Sequence, residues 1–152
     1  LGYWNKEKET NEIIKNGWLH TGDIGEIDSS GYLKITDRKK DIIVNHGGDN
    51  ISPSKIENFF CNDEKIKQCL VYGDKKNYLV ALIVVDQKDK DNATIRSIIE
   101  NLNKDLTIIE KIKKFILISE EFTIENGLMT PTLKLKRKKI IEKYQQELEK
   151  LY

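Results

Sequence analysis

Three short segments of this chain hold side chains of the kinds that bind a nucleotide or an anionic substrate. The first is Gly17-Trp18-Leu19-His20-Thr21-Gly22-Asp23. A carboxylate set just after a Thr-Gly turn can accept two hydrogen bonds, the geometry needed to hold a vicinal diol such as a ribose. The plainer reading of Asp23 is a solvated turn aspartate. The second is Asp37-Arg38-Lys39-Lys40-Asp41, with Gly47-Gly48 after it. Such a charge run ordinarily forms a solvated linker, and two adjacent glycines either make a turn or let the backbone approach a ligand closely. The third runs from Met129 to Lys139, with Lys134, Lys136, Arg137, Lys138 and Lys139 close together. Those cations suit a phosphate or an anionic membrane surface. Their plainer reading is the solvated first turn of a last helix, where the helix dipole disfavours them.

The remaining reactive types are sparse. Two histidines, His20 and His46, and two cysteines, Cys61 and Cys69, are too few and too scattered for a zinc site of familiar spacing, so no metal site is expected on this chain. No Ser-His-Asp or Cys-His order is present, and both cysteines read as small core residues. Lysine and arginine number 26 against 25 aspartates and glutamates, a net charge of +1. That excludes a uniformly basic nucleic-acid protein, and the aromatic interleaving of a single-strand platform is missing too. Hydrophobic residues make up 38%, and no apolar run approaches the roughly 18 residues that span a bilayer. Unpaired thiols and the absence of a leader point to a cytoplasmic setting. The sequence starts at Leu1 rather than Met, as a piece of a longer protein would.

The elements that must position these segments follow from periodicity. Ile24, Ile27, the turn cluster Asp28-Ser29-Ser30-Gly31, then Leu33 and Ile35 read as a hairpin. After Ile42-Ile43-Val44 and the turn-prone 45–50 loop, Ser52-Pro53 has the form of an N-cap with proline at the first helical position, and Ser54 with Glu57 offers a capping box in another register. Ile56, Phe59 and Phe60 make that helix's buried face. Residues 68–72 and 78–85 form a second hairpin. Ile95, Ile98, Ile99 and Leu102 form one stripe of a helix from Ala93 to about Leu106. A short helix is expected over 109–113, a strand over 115–118, loop over 123–135, and a final helix carrying Ile140, Ile141, Tyr144, Leu148 and Leu151. The expected class is α+β: a small mixed sheet with about three helices from near Lys40 onward, preceded by a hairpin segment that is not stable alone.

The order of the motifs GWLHTGDIGEID, GYLKITDRKKDIIVNHGGDNISPSKIE and NGLMTPTLKLKR resembles the C-terminal part of the acyl-adenylate-forming enzymes over the whole chain. The wording DRKKD and TPTLKLKR is most similar to that of long-chain fatty-acid CoA ligases. The resemblance implies that residues 1–39 end a large N-terminal adenylation domain and that residues 40–152 are a mobile lid domain. It implies that Asp23 holds the ribose hydroxyls of ATP and of the acyl-adenylate, that Arg38 contacts the ribose and phosphate region, and that Lys40 is the hinge. The Gly47-Gly48 loop faces the CoA thiol arm, and Lys134 is the catalytic lysine of adenylation. The family pattern puts glycine before that lysine where this chain has Leu133, which keeps Lys136 as an alternative register. The loop length leaves either Gly47 or Gly48 as the family glycine.

The activity so implied is fatty acid, ATP and CoA giving acyl-CoA, AMP and pyrophosphate through acyl-AMP, with the lid rotating between half-reactions. ATP and CoA are substrates, and Mg2+ rides mainly on the phosphates and on the N-terminal domain. The implied partners are ATP, CoA, a fatty acid and that missing domain, with no nucleic acid and with peripheral membrane association as an option. By itself the fragment is expected to be inactive. The alternatives are an adenylating enzyme that loads an acyl carrier protein, and a non-catalytic module whose basic run from Lys134 to Lys139 docks on anionic lipid or RNA.

Overall fold

A computed structural model describes residues 2–89 and 91–152. The chain divides into two compact units, Leu1–Asp41 and Ile42–Tyr152.

In the first unit, helix α1 (Glu7–Ile13) has Glu7 and Glu9 in its first turn, where carboxylates complement the helix dipole. It leads into a short antiparallel ladder, β1 (Ile14–Lys15) with β2 (Trp18–Leu19). The two residues between them, Asn16 and Gly17, both have positive φ, +52° and +79°, the requirement of a tight two-residue hairpin. Neither α1 nor this ladder was legible as an element in the sequence patterning. The expected hairpin follows as β3 (Asp23–Ile27) and β4 (Leu33–Arg38), antiparallel from Asp23 opposite Arg38 to Ile27 opposite Leu33. Asp28 closes the turn, its carboxylate accepting from the backbone N–H of Ser30 and Tyr32. The register slips between Ile24 and Gly25, and a Cβ on Gly25 would meet the Lys34 carbonyl oxygen at 2.9 Å. Only glycine lets the two backbones approach so closely. Asp37, from the charge run read as solvated, is buried, whereas Trp18, Ile27, Tyr32, Leu33 and Ile35 are exposed within this unit.

The second unit opens with a two-residue pair, β5 (Ile43–Val44) and β6 (Asn50–Ile51). Helix α2 (Pro53–Phe60) starts as its sequence requires, with the Ser52 hydroxyl accepting from the Lys55 N–H at 3.3 Å and Pro53 in the first turn. Strands β7 (Gln68–Tyr72) and β8 (Leu79–Val84) pair antiparallel. Helix α3 (Asn92–Leu102) is capped by Asp91, which accepts from Ala93 and Thr94. β9 (Ile112–Ile118) pairs parallel to β8, giving the sheet order β7-β8-β9. The chain ends in α4 (Arg137–Lys143) and α5 (Gln145–Glu149).

Every residue of β8 is buried, as a central strand covered on both faces must be. Alternation splits it: Leu79, Ala81 and Ile83 join a core with Ile56, Phe60, Ile95 and Ile99, so α2 and α3 cover that face. Val80, Leu82 and Val84 join a second core with Phe122, Ile140 and Leu148, under α4 and α5. This is the mixed α+β arrangement the patterning predicts.

Three local expectations are corrected. Residues 109–113 are not a helix: Thr107–Glu110 is a turn, with the Glu110 N–H donating to the Thr107 carbonyl, and β9 already starts at Ile112, because Ile112 pairs with Leu79. Pairing with a buried central strand outweighs the weak helical signal. The last helix breaks at Tyr144, φ −108° and ψ 20°, where the tyrosine ring packs edge-on against Phe122. Cys61 is exposed, and only Cys69 is a core residue, since Cys61 lies just beyond the last buried turn of α2. Among the described residues no helix is long and apolar enough to cross a membrane.

Candidate functional site

Asp23 and Arg38 are brought together by the β3–β4 register. Facing one another across the ladder, they form an ion pair, Arg38 Nε to Asp23 Oδ1 at 2.8 Å. The approach to Asp23 is fixed locally: its N–H donates to the Thr21 hydroxyl, Gly22 has φ +74°, and the Lys39 N–H donates to the Gly22 carbonyl at 2.8 Å. The pair thus offers a fixed carboxylate and an exposed guanidinium side by side, one suited to hydroxyls and the other to a phosphate. Lys40 is exposed in the turn closed by the Asp41 N–H on the Arg38 carbonyl.

In the second unit, Gly47 and Gly48 sit in a knot tied by Asn45. Its side chain exchanges two hydrogen bonds with Asp49, both 2.9 Å, and the Gly48 N–H donates to its carbonyl. Gly48, at φ +86°, needs glycine for its backbone conformation, while a Cβ on Gly47 would meet only the Asn45 and Asp49 side chains at 3.3 and 3.4 Å. The loop is held from outside by the β7–β8 turn: Val44 N–H to Asp74 Oδ1, Lys75 N–H to the Val44 carbonyl, and His46 N–H to the Lys76 carbonyl. Lys76 in turn pairs with Glu149 at 2.6 Å and lies over the Tyr152 ring. Lys76 and the Tyr72 hydroxyl lower the Glu149 pKa, and burial with that same hydrogen bond pushes Tyr72 up to about 12.

Lys134 occupies a different loop. The Thr130 N–H donates to the Lys134 carbonyl (2.8 Å), the Lys134 N–H donates to the Thr130 hydroxyl (3.0 Å), and the Leu133 N–H donates to the Thr130 carbonyl. Met129 and Leu135 form an isolated bridge at its base. Lys134 is exposed at the tip, and Leu133 sits at φ +57°. The basic run is not one charged face: Arg137 turns inward, 14% exposed, onto Glu57. Nothing in the sequence paired those two residues, and Glu57 had been readable only as a capping-box glutamate.

His20 and His46 are exposed and contribute backbone contacts. Burial raises the thiol pKa of Cys69 strongly and of Cys61 less, opposite to what a nucleophilic cysteine requires. Among the described residues no group of three or more His, Cys, Asp or Glu side chains is placed to hold a metal ion.

A three-stranded mixed sheet covered by helices on both faces has the build of the C-terminal module of adenylating enzymes. Residues 40–152 match the family described as the AMP-binding enzyme C-terminal domain, and this chain belongs to that family. It is 35% identical to a long-chain fatty-acid CoA ligase of Mycobacterium tuberculosis over 99% of its own length and 29% of that protein's. It therefore spans under a third of the relative. Among solved structures it is similar to the adenylation domain of a carboxylate reductase from Mycobacterium chelonae, with 28% identity and a TM-score of 0.91 over 99% of this chain and 26% of the other. A second is the adenylation and carrier didomain of the carboxylic acid reductase of Segniliparus rugosus in complex with AMP, with 28% identity, a TM-score of 0.89 and coverage of 99% and 23%.

Proposed function

We propose that this chain is the C-terminal part of an ATP-dependent long-chain fatty-acid CoA ligase. The observation that carries the reading is the 35% identity, over 99% of the chain, to a long-chain fatty-acid CoA ligase. In it, residues 1–39 complete a large N-terminal domain and residues 40–152 form the lid that turns about Lys40. The exposed Trp18, Ile27, Leu33 and Ile35 support a cover over the first unit, supplied by that domain.

The fatty-acid carboxylate attacks the α-phosphate of ATP, forming acyl-AMP and releasing pyrophosphate. Asp23 accepts from the ribose hydroxyls, and Arg38 faces the phosphate side. Lys134 holds the carboxylate and the α-phosphate, two mutually repelling anions, against one ammonium and stabilises the charge that builds up between them. After the lid turns, the Gly47-Gly48 loop lines the path of the CoA thiol, which attacks the acyl carbon and expels AMP. Exchanging one loop for the other is a gating use of domain motion. Magnesium would be held mainly by the nucleotide phosphates and the N-terminal domain, and would supply neutralisation of the phosphate charge. The protein works in the cytoplasm or at the face of a membrane.

A second reading, transfer to a carrier protein, is favoured by the likeness to a didomain that joins an adenylation domain to a carrier. One experiment separates the two. The full-length protein is assayed for ATP–pyrophosphate exchange with fatty acids of several lengths, then for acyl transfer to CoA and to a carrier. Exchange with long chains and transfer to CoA is the expected result. Transfer to the carrier alone establishes the second reading, and no exchange with any acid overturns both.

A further inference from the structure

Arg137 makes a three-point contact deep to the basic run. Its Nη1 donates to both oxygens of Glu57 at 2.7 and 2.8 Å, and Nη2 donates to the Val71 carbonyl at 3.0 Å. Glu57 Oε1 also accepts the Val71 N–H at 2.6 Å. Val71 lies on β7, an outer strand of the sheet, so the ion pair occupies the place where a fourth strand would dock. It satisfies both backbone groups of an edge residue, and it joins α2, β7 and α4 at one point three residues from Lys134.

We propose that the Glu57–Arg137 pair positions Lys134, and that it serves the adenylation half-reaction and not thioester formation. The proposal rests on the reading of Lys134 given above. The Lys134 loop is otherwise fastened mainly to itself, through Thr130, and to the Leu128 carbonyl through the Lys136 N–H. Its tip residues 131–134 are exposed. Arg137, its side chain mostly covered, is the first side-chain polar anchor beyond that tip, at the first residue of α4. An ammonium that must meet two anions at once loses most of its effect when displaced by about 1 Å, so its anchor matters more than its own solvation. The glycine loop has its own fastenings, through Asn45, Asp49, Asp74 and the Lys76 carbonyl. Helix α2 keeps its seat through Ile56 and Phe60, both fully buried.

The test uses the full-length protein with Arg137→Lys, which keeps the charge and loses the fork. It is backed by Glu57→Gln, which keeps an oxygen for the Val71 N–H. ATP–pyrophosphate exchange and CoA thioester formation from supplied acyl-AMP are measured separately, beside thermal melting and a Lys134→Ala control. Arg137→Lys is expected to lower the kcat of exchange about tenfold or more, with the KM for ATP and thioester formation within about twofold, and to cause no further loss in the Lys134→Ala background. Glu57→Gln is expected to show the same split and decides the matter if Arg137→Lys does not fold. If Lys134→Ala abolishes exchange while both variants retain it, the positioning role is wrong and the reading of Lys134 stands. Parallel loss of both half-reactions together with melting temperature reduces the pair to structural support and overturns the proposal. If Lys134→Ala itself leaves exchange unchanged, the reading of Lys134 fails and takes the proposal with it.

Discussion

Arg38 Nε lies 2.8 Å from Asp23 Oδ1, and the two residues face one another directly across the β3–β4 ladder. Half of the arginine side chain is exposed. An ion pair so placed contributes at most about 1 kcal/mol to stability, so its value lies in holding the carboxylate in one orientation. Asp23→Asn and Arg38→Ala should each change the unfolding free energy by less than about 1 kcal/mol. In the full-length protein each should raise the KM for ATP about tenfold or more, a loss of about 1.4 kcal/mol of binding. Denaturant titration and steady-state kinetics check the two halves. A large fall in stability with unchanged KM would assign the pair to folding.

Leu133 is exposed and sits at φ +57°. A left-handed conformation costs a branched residue about 1–2 kcal/mol, while glycine carries an entropic cost of about 0.5–1 kcal/mol. Leu133→Gly should therefore stabilise the protein by about 0.5–1 kcal/mol, read as a higher urea midpoint with an unchanged slope.

The two cores differ sharply from the surface in their tolerance. Phe60→Ala empties a site that is fully buried between α2 and the sheet and should cost about 3–5 kcal/mol. Ile108→Ala, at an exposed turn residue, should stay within about 0.5 kcal/mol. Urea denaturation of both variants, under one set of conditions, provides the comparison.

Glu110 gives a pH dependence with a defined sign. Burial pushes its carboxyl upward, but the Lys55 ammonium at 2.7 Å and the Thr107 hydroxyl and N–H outweigh it, leaving the pKa below its ordinary value of 4.5. A carboxylate depressed in the folded state contributes stability above its unfolded pKa, and that contribution is lost as pH falls through the folded pKa. Stability should fall on acidification below about pH 4.5, and Glu110→Gln should flatten part of that limb. Melting curves from neutral to acid pH, compared between wild type and variant, measure it.

The two thiols should react in a fixed order. Cys61 keeps an exposed surface and Cys69 is buried, and desolvation, partial at Cys61 and full at Cys69, raises both thiol pKa values, that of Cys69 the more. Alkylation under native conditions followed by peptide mass mapping should label Cys61 slowly and Cys69 only after unfolding. Early labelling of Cys69 would show that the sheet opens next to α2.

Much of the architecture is written locally. The Ser52-Pro53 cap, the Ile95, Ile98, Ile99 and Leu102 stripe, and both longer hairpins involve residues a few positions apart, whose interactions are already present in the bare sequence pattern. The same holds for the motif order that marks the family. Other features depend on what meets across the fold. Helix α1 has no buried residue, so it leaves no apolar stripe to read. β9 begins at Ile112 because β8 is there to receive it, and the final helix breaks where Tyr144 meets Phe122. Gly48 rather than Gly47 is the conformationally required glycine because of the turn that closes on Asn45.

The clearest case is Arg137. By itself the sequence determined a run of five cations, and repulsion within it and the helix dipole both favour dispersing them into solvent. Only the tertiary structure decided that one of them turns inward, because a partner 80 positions away, Glu57, and an open strand edge at Val71 come together in space. Burying a guanidinium is favourable only when a carboxylate and backbone groups meet it in the right geometry, and no local pattern encodes that meeting.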